Sequence, residues 1–290
     1  MRLALFSGCK IPSLLSQYEL ASRAVLKTLA VELVDITFNC CGYPNRNHHF
    51  GAYLLSAARN LALARQQNLN ILTLCKCCYG SLKHADHWIK TNERMRDEIN
   101  AVLKKEDLFW DGSVEIKHLL PLLARDIGLP ILKDQVRQRY SALKIAPHYG
   151  CHALRPADIM QYDNPVDPTL FEDLVAATGA QSVNWPRRLE CCGNPILEKN
   201  APLSFSLMHK KINDAKTAGA DFLCTACTYC QIQFDTVQAA QLEVSASNGN
   251  LPSILYPQLL GLAFGLDEEA LGLRCNQLDI NGIRSYLISP

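Results

Sequence analysis

The chain of 290 residues reads as an α/β protein of two pseudo-symmetric repeats, each a Rossmann-like parallel sheet with flanking helices and with cysteine loops at the C-terminal ends of its strands. Three observations predict this. The same cysteine motifs occur twice in the same order. Short apolar runs of strand length alternate with longer segments of helix length, the pattern of a parallel sheet. A hydrophobic content of 48% supplies a proper core.

In the first half, "RLALFSGC" is a short apolar strand (2–7) entering a loop, followed by a helix near 16–30 and a strand near 32–36. A helix near 51–67 and a strand near 69–74 come next. A helix over 79–104 carries the charged face "KTNERMRDE", and a strand near 114–117 leads into a helix at 118–128 whose end, "ARDIGLP", has a glycine cap. The second half repeats the order. "LKIAPHYGC" opens it with a strand at 143–148, and a helix at 169–178 closes on the glycine of "AATGAQ". Strands are expected near 181–184, 221–224 and 253–255, and helices near 203–218, 228–242 and 256–264.

The duplication rests on four ordered matches. Gly8-Cys9 aligns with Gly150-Cys151, and Cys40-Cys41-Gly42-Tyr43-Pro44 with Cys191-Cys192-Gly193-Asn194-Pro195. Cys75-x-x-Cys78 aligns with Cys227-x-x-Cys230, and "HLLPLLARDIG" from His118 with "YPQLLGLAFGL" from Tyr256. One insertion of about nine residues, between the first two motifs, separates the copies. The boundary falls near "QVRQRYSAL", giving an N-terminal repeat over 1–140 and a C-terminal repeat over 141–290.

Composition narrows the function. The net charge of +1, without a basic or acidic tail, gives no sign of nucleic-acid binding. No apolar run approaches the ~20 residues that span a bilayer. "MRLALFSGC" is too short for a secretory signal, and a lipoprotein-type cleavage before Cys9 would leave too little for a signal peptide. A cytoplasmic protein is expected. Thirteen cysteines, an odd number in a chain of this size, argue against a disulfide scaffold and for metal or redox chemistry. No phosphate-binding glycine loop is present, so neither nucleotide nor flavin is expected here.

In parallel α/β sheets the loops at the carboxyl ends of the strands gather into one crevice. Cys9, Cys40, Cys41 and Cys75 follow the first three strands of one half; Cys151, Cys191, Cys192 and Cys227 occupy the matching places of the other. A structural zinc takes four ligands and a cubane cluster four cysteines, whereas each half offers five. Adjacent side chains on an extended backbone point apart, so Cys40 and Cys41 suit different irons of a larger cluster. Gly42 and Gly193 permit positive φ and close approach of the backbone to an inorganic core, and Pro44 and Pro195 stiffen the loop. The alternative is a pair of zinc sites, each with one cysteine spare; excess soft thiolate favours clusters.

These residues resemble the CCG-domain, or cysteine-rich-domain, family, and within it the B-type subunits of heterodisulfide reductase. The likeness covers almost the whole chain, on "FSGCK", "CCGYPN", "LTLCKCCYGSLKHA", "PHYGCHALRP", "LECCGNP", "ADFLCTACTYCQIQFD" and "LPSILYPQLLGLAFGL". The resemblance implies an iron–sulfur oxidoreductase subunit with two noncubane [4Fe–4S] clusters for thiol/disulfide or related sulfur chemistry. The ligands, and with them the catalytic residues, would be Cys9, Cys40, Cys41, Cys75 and Cys78, and Cys151, Cys191, Cys192, Cys227 and Cys230. It also implies a complex with two partners, a ferredoxin-like iron–sulfur subunit (the C type) and a flavin-containing subunit (the A type). The chain departs from the family pattern in three ways. Cys227-Thr-Tyr-Cys230 lacks the proline usual after its first cysteine, the gap from Cys9 to Cys40 is short, and Cys77 and Cys224 are extra thiols that offer alternative ligands.

Lys10, Lys76, His148, His152 and Arg155 flank the motifs. Lys10, His152 and Arg155 are the candidates for binding an anionic thiol substrate; hydrogen bonding around a cluster is the other role open to all five. His48 and His49 read as structural, and Cys275 as a buried apolar residue. Two other functions stay open: an electron-transfer subunit of a quinone-linked dehydrogenase complex, and a zinc-bound interaction module.

Overall fold

In a computed structural model, which describes residues 1–244 and 249–288, each half of the chain forms a four-stranded sheet with every pairing parallel. The first contains β1 (Arg2–Phe6), β2 (Glu32–Asp35), β3 (Asn70–Thr73) and β4 (Ile116–His118) in the order β2-β1-β3-β4. After β5 (Arg139–Tyr140), the second contains β6 (Lys144–Pro147), β7 (Gln181–Ser182), β8 (Phe222–Thr225) and β9 (Ser253–Leu255) in the order β7-β6-β8-β9. The central strands are apolar on both faces: Leu3 to Phe6 and Phe222 to Thr225 are all buried, as helices on both sides of a parallel sheet require. The edge strand β2 is more open along its length.

This strand order reverses direction between β1 and β3, and again between β6 and β8. The connections leaving those neighbours depart to opposite sides and open a crevice at the carboxyl ends. The cysteine loops lie at both crevices.

The halves interlock. Helix α6 (Tyr256–Ala263) of the second half packs on α1 (Ser16–Thr28) of the first, and the helical run Leu119–Pro121 and Leu122–Gly128 of the first packs on α4 (Leu170–Ala177) of the second. Lys76 Nζ donates across the junction to the carbonyls of His148 (3.2 Å) and Tyr149 (2.9 Å), and Arg125 Nη2 to the carbonyl of Tyr162 (2.7 Å). One continuous buried cluster runs through both sheets.

One expectation is corrected. The helix expected over 79–104 starts earlier, at Lys76, and breaks at Asn92: α3 (Lys76–Thr91) ends there, and the Asn92 side chain caps Glu93–Leu103 by accepting from the Met95 amide (3.0 Å). The glycine of "ARDIGLP" does end its helical run: Gly128 (φ +95°) closes Leu122–Gly128, and a separate helix, Leu129–Gln135, begins at the next residue. Finally, β10 (Leu287–Ile288) returns to pair antiparallel with β5 at the repeat boundary, two strands of two residues each that leave no periodicity to read.

Candidate functional site

Each cysteine is placed by a local device that both repeats share. Gly8 (φ +69°) and Gly150 (φ +71°) turn the chain out of β1 and β6 just before Cys9 and Cys151. Cys75 and Cys227 stand at the N-cap positions of the helices that begin at Lys76 and Thr228, so Cys78 and Cys230 fall in the first turn. After each vicinal pair comes a glycine at positive φ, Gly42 (+82°) and Gly193 (+94°). Their need for glycine differs from the expectation. The crowding atoms belong to the following helix: a β-carbon at Gly42 would lie 2.8 Å from the carbonyl oxygen of Tyr53, in α2 (Phe50–Gln66), and one at Gly193 2.9 Å from that of Ser204, in α5 (Ala201–Thr217). The glycines dock the loop on a helix rather than on a cavity.

The loops converge on two cavities. The first is lined by Cys9, Cys40, Cys41, Cys75 and Cys78; the second is lined by Cys151, Cys191, Cys192, Cys227 and Cys230. Cys77 lines both, and Cys224, buried within β8, lines neither. All thirteen cysteines are free thiols.

The vicinal pairs do not diverge. The Cys40 and Cys41 sulfurs hydrogen-bond and both face the first cavity, as Cys191 and Cys192 do at the second. Flanking helices hold the Cys40 and Cys41 carbonyls: Ser56 Oγ donates to Cys40 (2.7 Å) and Ser81 Oγ to Cys41 (2.9 Å). Packed thiols without a cation cannot all ionise. Hydrogen bonds from Cys40 and Cys78 hold the Cys41 thiol far below its ordinary range, and those from Cys151 and Cys192 do the same for Cys191. Cys227 is lowered by Cys230 and, across the junction, by Cys75 and Cys77. Their donors Cys40, Cys78, Cys151 and Cys230 are pushed up. Such a donor set ionises fully only around cations, and soft thiolate suits iron–sulfur or zinc.

The cavities share a wall. Cys77 and Tyr229, the residues at matching positions inside the two CxxC motifs, each line both. The sulfurs of Cys75, Cys77 and Cys227 lie within 4.8 Å of one another. Beside them Tyr43 Oη meets His152 Nε2 at 3.1 Å, and His152 Nδ1 stands 3.4 Å from Cys151 Sγ and 3.7 Å from Cys77 Sγ.

The remaining candidates separate. Lys10 lines the first cavity, half-buried, with Nζ 5.3 Å from the Tyr229 ring centroid; His152 lines the second. Arg155 is not brought to either cavity: it is exposed, and its guanidinium donates to the Pro165 carbonyl (3.0 Å). Lys76 and His148 are buried, and both ring nitrogens of His148 lack a partner. His48 is exposed, and the His49 side chain caps α2 by accepting from the Ala52 amide (3.1 Å). Cys275 is exposed, not buried: it closes a single turn, Leu273–Cys275, that puts its side chain outside the core. Tyr43, Tyr229 and Lys211 had gone unnoticed in the sequence. The repeat alignment points to Tyr229, because it stands opposite Cys77.

A model of the cysteine-rich domain matches residues 3–83 and again 145–235. The chain is 33% identical over 282 residues to the B-type subunit of the Ferredoxin/F(420)H(2)-dependent CoB-CoM heterodisulfide reductase of Methanosarcina acetivorans, covering 96% of this chain and 94% of that one. It is 34% identical over 278 residues to the 8-methylmenaquinol:fumarate reductase membrane anchor subunit of Wolinella succinogenes, covering 95% and 96%. A hypothetical protein from Helicobacter pylori has a similar fold, with a TM-score of 0.75 and 17% identity over 97% of this chain and 52% of its own.

Proposed function

Because the chain belongs to the cysteine-rich-domain family, we propose that it is the catalytic iron–sulfur subunit of a heterodisulfide reductase-like complex, acting on a thiol/disulfide or related sulfur substrate. The observation that carries this reading is the pair of five-cysteine cavities with a common wall. Cys9, Cys40, Cys41, Cys75 and Cys78 would hold one noncubane [4Fe–4S] cluster, and Cys151, Cys191, Cys192, Cys227 and Cys230 the other. When bound, the two clusters supply one-electron equivalents in the number that a disulfide consumes.

The chain's own groups do the rest. Lys10, at the partly open side of the first cavity, offers an ammonium to an anionic thiol. His152, in contact with the Tyr43 hydroxyl and kept toward the neutral form by burial, stands at the junction beside Cys77 and Cys151, where its ring can hydrogen-bond a substrate sulfur. Most of each lining is cysteine and tyrosine, and Cys41, Cys75, Cys77 and Cys78 at the first cavity and Cys192, Cys227 and Cys230 at the second are buried, which keeps water from those sulfurs. On this reading residues 1–140 and 141–290 are the two repeats, and the protein works in the cytoplasm with a ferredoxin-like partner and a flavin-containing one. No helix of the described residues is long and apolar enough to cross a membrane.

Metal content tests the reading. Anaerobically purified protein is expected to be brown and to carry about eight irons, twice the four of one [4Fe–4S] cluster. Stoichiometric zinc without iron would instead establish the zinc-bound module. The similarity to the Wolinella protein favours a second reading, an electron-transfer subunit of a quinone-linked complex. Purified complex that oxidises a menaquinol analogue and leaves disulfides untouched would select it.

A further inference from the structure

The two cavities are built from equivalent positions, yet their surroundings differ in charge and polarity. Three positions show it. The first is two residues before the glycine of each opening loop. A β-carbon at Gly8 would lie 3.0 Å from Cys78 Sγ and 3.7 Å from the Phe6 ring; one at Gly150 would lie 3.5 Å from Cys230 Sγ and 3.7 Å from His148 Nε2. Phe6 and His148 thus occupy the same place beside corresponding cysteines, and His148 brings two ring nitrogens that are buried without a partner.

The second position is at the same depth in α2 and α5. Asn60 secures the loop before Cys40 through a neutral amide, which donates to the Asn39 and Cys40 carbonyls (3.1 and 3.2 Å). Its counterpart Lys211 secures the equivalent loop with a buried ammonium, which donates to the Arg187 carbonyl (2.6 Å). Glu190, at 3.9 Å, is the one carboxylate paired with it among the described residues, and its other acidic neighbours are Cys192, Cys230 and Cys191.

The third position follows the first cysteine of each CxxC, where the residues cross over. Thr228 of the second repeat lines the first cavity, and Lys76 of the first repeat lines the second. The Lys76 ammonium is buried against two carbonyls, and the acidic groups acting on it are cysteines, Cys230 and Cys227 foremost. The cation at the first cavity, Lys10, is half-buried and screened by solvent.

We propose that Lys76, Lys211 and His148 make the C-terminal cavity the electron sink of the pair, so that its cluster is reduced at a higher potential than the one in the N-terminal cavity. This rests on the reading that both cavities hold iron–sulfur clusters. Taking up one electron adds one negative charge to a cluster, and buried cations and N–H donors nearby favour the reduced form. Electrons entering at the N-terminal side, where Cys9 is exposed, then run downhill to the C-terminal side.

The test is an anaerobic potentiometric titration of the full iron-loaded chain with dithionite, followed by electron paramagnetic resonance. Two reduction steps are expected. The higher one should be missing from Cys192→Ala and the lower one from Cys41→Ala. Lys76→Thr, Lys211→Asn and His148→Phe copy the residues that stand at the matching positions around the N-terminal cavity. Each lysine variant should lower the C-terminal step by about tenfold in its reduction equilibrium, 59 mV for one electron. The triple variant should bring the two steps together, and the N-terminal step should stay in place throughout. Coincident steps in the unmodified chain, a reversed order, or lysine variants that move the N-terminal step would each overturn the proposal. The order of the steps decides it even where a lysine variant fails to fold. A chain without iron would instead remove the cluster reading itself.

Discussion

Cys192→Ala is expected to abolish disulfide turnover, not to halve it, and Cys41→Ala to do the same from the other cavity. Cleaving a disulfide takes two electrons, and a single iron–sulfur centre passes them one at a time. With one centre gone the bond would be left half-broken, so the loss should fall to background whichever half is damaged. Both residues are buried in the walls of their cavities, and each hydrogen-bonds a neighbouring cysteine there. Each variant should therefore lose one centre's spectrum and about half its iron while the other half stays intact, because the two lining sets share only Cys77 among the cysteines. The surviving centre should still reduce a small one-electron dye. Cys275→Ala is the control: the residue is exposed and lines neither cavity, and its spectra and turnover should be unchanged. A Cys192→Ala protein that kept near-full disulfide reduction would show that the C-terminal half only supports the fold, and the two-centre mechanism would be abandoned.

The large features were legible because each left a repeated or periodic mark. Strands such as β1 and β8 are unbroken apolar runs, since both of their faces are covered, and the cysteine motifs recur at nearly constant spacing. What escaped depends on groups far apart in sequence. Nothing local to "CKCC" says that Lys76 reaches over to the Tyr149 carbonyl, or that Cys77 lands in the wall of both cavities. The break at Asn92 lay within reach, because asparagine is a strong N-cap, but the charged run around it reads equally well as one helix. Cys275 misled for the opposite reason. Free cysteine is usually buried, and only the path of the C-terminal segment puts this one outside. Arg155 sits close to Cys151 along the chain, yet its side chain turns away to the Pro165 carbonyl.

Gly42→Ala is expected to damage the first cavity far more than a comparable glycine replacement elsewhere. Gly219 is the reference: at φ +82° it shares the left-handed conformation of Gly42, and a β-carbon there would meet nothing within 4 Å. Gly219→Ala should therefore cost only the conformational penalty, about 1–2 kcal/mol, and leave both centres loaded. At Gly42 the same penalty is joined by a collision, since the new carbon would lie 2.8 Å from the Tyr53 carbonyl oxygen and 2.9 Å from Cδ2 of its ring. Neither atom yields cheaply. The carbonyl belongs to the backbone of α2, and the ring is buried with its hydroxyl donating to the Ser81 carbonyl (2.7 Å). Overpacking of this kind adds roughly 1–3 kcal/mol. The loop would relieve it by lifting off α2, which carries Cys40 and Cys41 away from Cys75 and Cys78. Gly42→Ala should then lose the N-terminal centre's spectrum and be less stable in urea than Gly219→Ala by about the overpacking term, while the C-terminal centre remains. If the two variants proved equally stable and equally loaded, the docking of the vicinal-cysteine loop on α2 would not be what holds the first cavity together.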